Sequence, residues 1–363
     1  MRVGILGGGQ LARMLALAGH PLGLEFTVLD PAAEPCAATV ARHIQGEYTD
    51  SDRLRALAAA ADVVTYEFEQ VPESATAELA NHTTVHPTPQ ALATGRDRWY
   101  EKSLFQELGI PTARFAAVDS RDDLEAAVAD IGLPAVLKTR TMGYDGKGQA
   151  VLRSAEDVAP AWEAIGGGPL ILEQMVDFGR EVSMVAVRGR DGDQRFYPLS
   201  ENHHEQGILR EARARPGDRR EADAADYAGR LLERLGYVGT IALELFDAGD
   251  GLVANEMAPR VHNSGHWTIE GAETSQFENH LRAVLGLPLG ATDPVGASAM
   301  LNLIGALPER RDVLAVPGAH LHFYDKLPRP GRKVGHITLR ADSADHLETG
   351  LGRLRPAVSP HPA

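Results

Sequence analysis

Apolar residues along the chain follow two periods, and the switch between them marks the elements. Arg2-Val3-Gly4-Ile5-Leu6 is a short run that predicts a buried strand. Gly7-Gly8-Gly9 then forms a tight turn, and Leu11, Met14, Leu15 and Ala18 recur at helical spacing over Gln10 to Ala18. Phe26-Thr27-Val28-Leu29 predicts a second strand ending at Asp30. Val63 to Glu69 alternates and predicts a third, with Glu67 and Glu69 at its C-terminal end, where open α/β sheets place their ligands. A compact α/β domain over residues 1–94 follows, with a ligand crevice near Gly9-Gln10 and Glu67.

Beyond Gly95 the pattern changes to a helix and then strands with scattered basic residues. Arg98 and Lys102 stand at i, i+4 on one helix face and, on that spacing alone, are surface charges. Ala135-Val136-Leu137-Lys138 is an apolar strand ending in a cation. It precedes Gly143-Tyr144-Asp145-Gly146-Lys147-Gly148-Gln149, whose glycines let backbone N–H groups wrap phosphate oxygens. Leu170 to Val176 predicts a strand leading into a connector, and Arg180 to Val187 the next strand.

Thr240 to Phe246 and Leu252 to Met257 flank turn chemistry at Asp247-Ala248-Gly249-Asp250-Gly251 and predict a hairpin. Glu244 then lies about opposite position 254, so Glu244 and Glu256 have the same parity and project from one face. Asn255 adds a neutral oxygen if a bulge turns it inward. Two facing carboxylates repel unless a cation sits between them, and hard oxygen ligands beside phosphate suit Mg²⁺. Two solvated glutamates on an edge hairpin are the alternative. The polar run Arg260, His262, Asn263, Ser264 and His266 follows at once.

The turn Gly7-x-Gly9-x-x-Ala12 with Asp30 nearly matches a dinucleotide fingerprint, which leaves an NAD-dependent oxidoreductase open. The physics is broader, because a helix N-terminus offers its N–H groups to any phosphate or carboxylate. His203-His204 raises zinc, but adjacent residues do not easily chelate one ion and no cysteine is near.

At 363 residues the chain can hold two or three domains. Its 36 Lys+Arg against 50 Asp+Glu, a net charge of -14, exclude nonspecific nucleic-acid binding and direct attention to local basic clusters. The single cysteine, Cys36, forms no intrachain disulfide, and glycines with Arg13 and His20 interrupt the apolar start. A cytoplasmic protein with no membrane span is expected.

The order of parts resembles the ATP-grasp superfamily. Within it, Gly8-Gly9-Gln10-Leu11-Ala12-Arg13-Met14, Tyr66-Glu67-Phe68-Glu69, the loop from Gly143 to Gln149, Ala258 to Trp267 and Pro330-Gly331-Arg332-Lys333-Val334-Gly335-His336 look like the N5-carboxyaminoimidazole ribonucleotide synthetases of purine biosynthesis. The resemblance runs from about residue 2 to 354. Ala12 replaces a glycine usual in that family, and Met142 stands where it often has glycine.

The resemblance implies an α/β, overall α+β, ATP-grasp fold. Its parts are a Rossmann-like preATP-grasp domain over 1–94, a two-part ATP-grasp domain over 95–295, a small β-rich C-terminal domain over 296–354, and a disordered tail over 355–363. It also implies an ATP-dependent carbon–nitrogen ligase that carboxylates 5-aminoimidazole ribonucleotide with bicarbonate through carboxyphosphate. A homodimer is the family's habit.

On this reading Glu244 and Glu256 hold Mg²⁺, while Arg98, Lys138 and residues 143–149 hold the triphosphate. The backbone of Glu173, Gln174, Met175 and Val176 takes adenine, Glu181 the ribose, and His204 and Asn255 lie by the nucleotide. Arg260 stabilises the transferred phosphoryl group, and Tyr144 and Asp145 close over the intermediate. The acceptor lies among Gly9, Gln10, Glu67, His262, Asn263, Ser264 and His266, with its phosphate on Lys326, Arg332 and Lys333. A sister enzyme such as formate-dependent glycinamide ribonucleotide transformylase, or a biotin carboxylase, shares the nucleotide residues. It differs in the acceptor pocket.

Overall fold

The computed structural model describes residues 1–143 and 148–358. Its first unit is a five-stranded parallel sheet in the order Arg42–Gln45, Glu25–Asp30, Arg2–Leu6, Val63–Tyr66, Thr84–Val85. The strand order reverses between Arg2–Leu6 and Val63–Tyr66, which opens a crevice beyond their C-terminal ends. The third strand is shorter than its alternation suggests. All four residues of Val63–Tyr66 are buried, and the strand ends before Glu67, whose N–H still donates to the Leu6 carbonyl at 3.1 Å. Central parallel strands are covered on both faces, and a period of two carries no information there.

The second sheet has four antiparallel strands in the order Phe115–Val118, Leu170–Gln174, Ala135–Thr139, Gln149–Leu152. The helices Arg121–Ile131 and Val158–Ile165 cover it, packing Leu124, Ala127, Val158 and Ala161 with Leu137 and Leu172. The third sheet is the largest. From one edge it runs Leu252–Ala258, Gly239–Asp247, Arg180–Arg188, Leu199–Glu205, Ile208–Arg215, Ala297–Ile304, Lys333–Ala341, Ala319–Phe323, with Gln194–Phe196 also pairing Arg180–Arg188.

The helix Glu221–Arg234 buries Ala224, Ala228, Leu231 and Leu232, a stripe at helical spacing, in one core with Met184 and Leu243. Leu11, Leu15 and Ala16 of the helix Gln10–Gly19 share a core with Phe277, Leu281 and Val284, which joins the first unit to the large sheet. Strands of the C-terminal segment are not a separate layer. They continue the large sheet through Ala212↔Met300 and Glu211↔Leu301. The segment from 355 onward, expected to be disordered, begins as helix: Ala344–Val358 runs through Pro356, and 359–363 lie outside the described residues. Among the described residues no helix is long and apolar enough to cross a membrane.

Candidate active site

One cleft of about 680 Å³ opens between the three sheets. The hairpin strands form its floor. Glu244 pairs directly with Glu256, not with a residue near 254, because a bulge inserts Asn255 between that pair and Leu245↔Ala254. The bulge restores the shared face and brings Asn255 into the cleft lining with both carboxylates. Burial and the charge of Glu244 push the Glu256 carboxyl up, with Arg98 and Lys138 pulling it back. Burial would raise Glu244 as well, yet His262, then His204 and Arg260, hold it well below the usual carboxylate range. The pair is short of positive charge, the condition a divalent cation relieves.

Around that floor stand the residues expected to meet a nucleotide. Lys138 Nζ donates to Glu173 Oε2 at 3.0 Å, and Arg98 lies 3.5 Å from Glu256. Glu181 meets His204 Nδ1 at 2.7 Å; burial disfavours the imidazolium, but this carboxylate lifts it. Phe178 and Phe246 stack with centroids 4.5 Å apart on the same wall. Gly143 and Gln149 line the cleft, Gly148 turns with φ 71°, and Tyr144, Asp145, Gly146 and Lys147 lie outside the described residues. Of the connector, the N–H groups of Gln174 and Met175 already donate to Arg114 and Pro134 carbonyls. His203 turns away from His204 and faces Glu205 at 3.5 Å, so the two imidazoles share no metal geometry. Among the described residues no group of three or more His, Cys, Asp or Glu is placed to hold a metal.

At the other end, the glycine turn meets the crevice of the parallel sheet. N–H groups of Gly9, Leu11 (3.1 Å) and Ala12 (3.0 Å) donate to the Glu67 carboxylate, and Gly8 N–H donates to Asp30 at 2.8 Å. A Cβ at Gly9 would fall 2.4 Å from Glu67 Oε1, so the turn admits only glycine while that carboxylate is seated. Lys326 Nζ donates to Gln10 Oε1 at 2.5 Å. Arg260 Nε donates to Glu69 Oε2 at 2.5 Å, and His262 Nε2 lies 3.0 Å from Glu244. Gln10, Glu67, Glu69, Arg260, His262, Asn263, His266 and Lys333 all line the one cleft that holds Lys138 and Glu256.

The ribonucleotide synthetase preATP-grasp domain family matches residues 1–95, the ATP-grasp domain family 103–277, and the phosphoribosylaminoimidazole carboxylase C-terminal domain family 298–349. An N5-carboxyaminoimidazole ribonucleotide synthase from Pseudomonas aeruginosa is 59% identical over 358 residues, 99% of each chain. The chain belongs to the N5-carboxyaminoimidazole ribonucleotide synthase family. The crystal structure of a synthetase of this family from Thermus thermophilus superposes with a TM-score of 0.95 at 55% identity, covering 99% of both chains. A synthase from Aspergillus clavatus, solved with ADP and 5-aminoimidazole ribonucleotide, gives 0.91 at 33% identity, covering 98% of both. As an N5-carboxyaminoimidazole ribonucleotide synthase, the chain is an ATP-dependent ligase of purine biosynthesis.

Membership in the synthase family overturns the dinucleotide reading, and the glycine turn shows the physical reason. The N–H groups that would meet a pyrophosphate belong to Glu67, and Asp30, expected at a ribose, accepts from Gly8. Several synthase residues stand elsewhere than their sequence pattern suggests. Ser264 is fully buried and is not among the cleft-lining residues; it joins Ser183 Oγ at 2.7 Å to His262 Nδ1 at 2.8 Å. His262 Nδ1 also accepts from Ser264 N–H at 3.3 Å, and its Nε2 faces Glu244 at 3.0 Å. Asn263 trades amide hydrogen bonds with Asn302, and Gln276 clamps the His262 backbone at 2.9 and 2.6 Å. His266, 1% exposed and ringed by Phe277 and His336, is held neutral by burial. Arg332 donates to the Leu327 carbonyl and is not among the cleft-lining residues.

Lys102 is the largest departure, since it is no surface charge at all. It is 1% exposed, with Nζ 3.2 Å from Glu173. Ser183, Asn302, Gln276 and Lys102 come from distant segments, and only Lys102 carried a local signal, its i, i+4 place behind Arg98.

Proposed function

We propose that the three substrates meet in this cleft and react in two steps. A bicarbonate oxygen attacks the γ-phosphorus of ATP, releasing ADP and leaving carboxyphosphate. The exocyclic amine of 5-aminoimidazole ribonucleotide then attacks the carboxyl carbon as phosphate departs and accepts the amine proton. Arg260 carries this reading. It sits on the segment directly after the strand bearing Glu256, and its guanidinium is anchored on Glu69 from the first domain. It is therefore the cation placed where nucleotide and acceptor ends join, the position that needs positive charge as two anions approach.

Glu244, Glu256 and the bulged Asn255 are suited to Mg²⁺, which would take its remaining oxygens from the triphosphate. Bound there, the metal would neutralise the phosphates and polarise the phosphoryl group under attack. Lys138 and Arg98 serve the phosphates, and Glu181 with His204 the ribose. Adenine falls to the carbonyls of the Glu173-to-Val176 connector, flanked by the apolar wall that includes Phe178. Gln10, Lys326 and Lys333 serve the acceptor, with Arg332 adding charge from behind. Tyr144 and Asp145 belong to the segment that excludes water from carboxyphosphate. A domain division near 94 and 295, a cytoplasmic location fitting the lone Cys36, and the family's homodimeric habit complete the proposal; light scattering tests the last.

The deciding measurement is phosphate release with ATP, Mg²⁺ and bicarbonate, with and without 5-aminoimidazole ribonucleotide. Strong stimulation by the ribonucleotide, with labelled bicarbonate entering an acid-labile product, is expected. Equal stimulation by glycinamide ribonucleotide with formate would overturn the assignment in favour of the sister ligase.

A further inference from the structure

The helix Arg98–Glu107 touches both the four-stranded sheet and the hairpin of the large sheet. Arg98 donates to Thr139 O at 3.3 Å on the small sheet and reaches Glu256 on the hairpin. Three residues on, Glu101 accepts from Met257 N–H at 2.5 Å. Four residues on, Lys102 stands between the sheets, with Nζ 3.2 Å from Glu173 of the small sheet and 3.4 Å from Ala254 O of the hairpin. Spacing of i, i+3 and i+4 puts all three on one face. Ala254 directly precedes the bulged Asn255.

Glu173 Oε2 accepts from Lys102 and Lys138 together. One carboxylate atom thus ties a lysine 1% exposed to a lysine whose side chain, 16% exposed, lines the cleft. Deep inside a protein, a lysine survives only if paired, and a paired lysine fixes its partner. Burial tends to raise the Glu173 carboxyl, but Lys102 first and then Lys138 bring it down to about 2. Without Lys102, the Glu173 carboxylate would keep Lys138 as its one remaining lysine and lose the contact that fixes it from the buried side.

We infer that Lys102 is a positioning residue for ATP: through Glu173 it sets where Lys138 presents its charge, while Ala254 itself is held chiefly by Thr112 Oγ1 at 2.9 Å and the Pro111 carbonyl at 2.7 Å. The inference rests on the assignment of Lys138 to the phosphates. It predicts a defect confined to one substrate, which a purely structural lysine would not produce.

The experiment is steady-state kinetics with each substrate varied in turn, for Lys102→Met and Lys138→Met. Lys102→Met should raise the KM for ATP about 10-fold, on the scale of one misplaced charge-assisted contact, and leave that for 5-aminoimidazole ribonucleotide within about twofold. If Lys138→Met raises the ATP KM while Lys102→Met does not, the inference fails and the phosphate assignment stands. If Lys138→Met leaves the ATP KM unchanged, both fall. A lowered melting temperature with both KM values intact, or equal losses on both substrates, would show Lys102 to be structural only. Should Lys102→Met not fold, Lys102→Met with Glu173→Met replaces the buried pair by apolar groups, a change proteins often tolerate. That double variant should fold and show the same ATP-only defect; an unchanged ATP KM in it overturns the inference.

Discussion

Glu173, at the end of the cleft proposed to take the nucleotide, and Glu67, at the end proposed to take the acceptor, are 3% and 8% exposed, yet their carboxyl groups shift in opposite directions. Glu67 accepts three backbone N–H groups, and burial still pushes it up. Glu173 is gripped by two ammonium groups and is driven down against the same penalty. Neutral dipoles satisfy lone pairs without supplying charge, so the number of hydrogen bonds does not decide ionisation here. Glu173 is therefore held as a charge by the two lysines it pairs. The acceptor end holds a carboxylate whose state answers to its neighbours, with Lys326 pulling it down and Asp30 pushing it up.

The strongest break in that contrast is at the hairpin. Glu256→Gln keeps size and removes the charge proposed to hold Mg²⁺, and turnover should fall about 10²-fold or more. Near-normal turnover at limiting Mg²⁺ would remove Glu256 from the metal site. Next in size is Lys333→Ala, expected to raise the KM for 5-aminoimidazole ribonucleotide roughly 10- to 100-fold, as for a lost charge-assisted hydrogen bond, with the ATP value little moved. A defect falling mainly on ATP would assign the C-terminal cations to the nucleotide.

The smallest effect is the sharpest on the comparison itself. Glu173 lies below its ordinary 4.5, near 2, so its contribution is present above 4.5 and is lost as pH falls toward 2. Glu67 is raised, so its contribution is present below 4.5 and is lost as pH rises through its folded value. Urea midpoints should show wild type losing its advantage over Glu173→Gln from about pH 5 down to pH 3, and gaining on Glu67→Gln from about pH 7 down to pH 4.5. The slopes should be at most about 1.4 kcal/mol per pH unit. Slopes of the same sign would mean that the two ends do not differ as described.

Much of the cleft was legible because its chemistry is dense along the chain. Glu244, Asn255 and Glu256 stand on adjacent strands, and parity alone put both carboxylates on one face. Their exact pairing was not legible, since a bulge depends on the partner strand. Lys102 was misread because i, i+4 spacing names a helix face without saying what covers it. The glycine turn reads as open to a ligand because a helix N-terminus looks the same in sequence whether a substrate or the protein's own carboxylate fills it, and here Glu67 does. Ser264 sits in a polar run that faces two ways, and nothing local separates the buried hydroxyl from the cleft-facing imidazole two residues earlier. Continuity of the C-terminal strands with the large sheet rests on pairings such as Ala212↔Met300, separated by far more chain than any local pattern spans.

That continuity turns the large sheet into a gauge. Glu256 and Lys333 lie six strand steps apart in it, yet both line the same cleft. Flat, six steps of about 4.8 Å would separate them by roughly 29 Å. The sheet twists by about 20 to 25° per step along that path, and both residues line the one cleft. On the proposed assignment, the spacing between the residue offered to the metal and the residue offered to the acceptor phosphate is set by backbone hydrogen bonds. Side-chain replacements will change how tightly each substrate is held. A longer or shorter acceptor could be matched only by adding or deleting a strand.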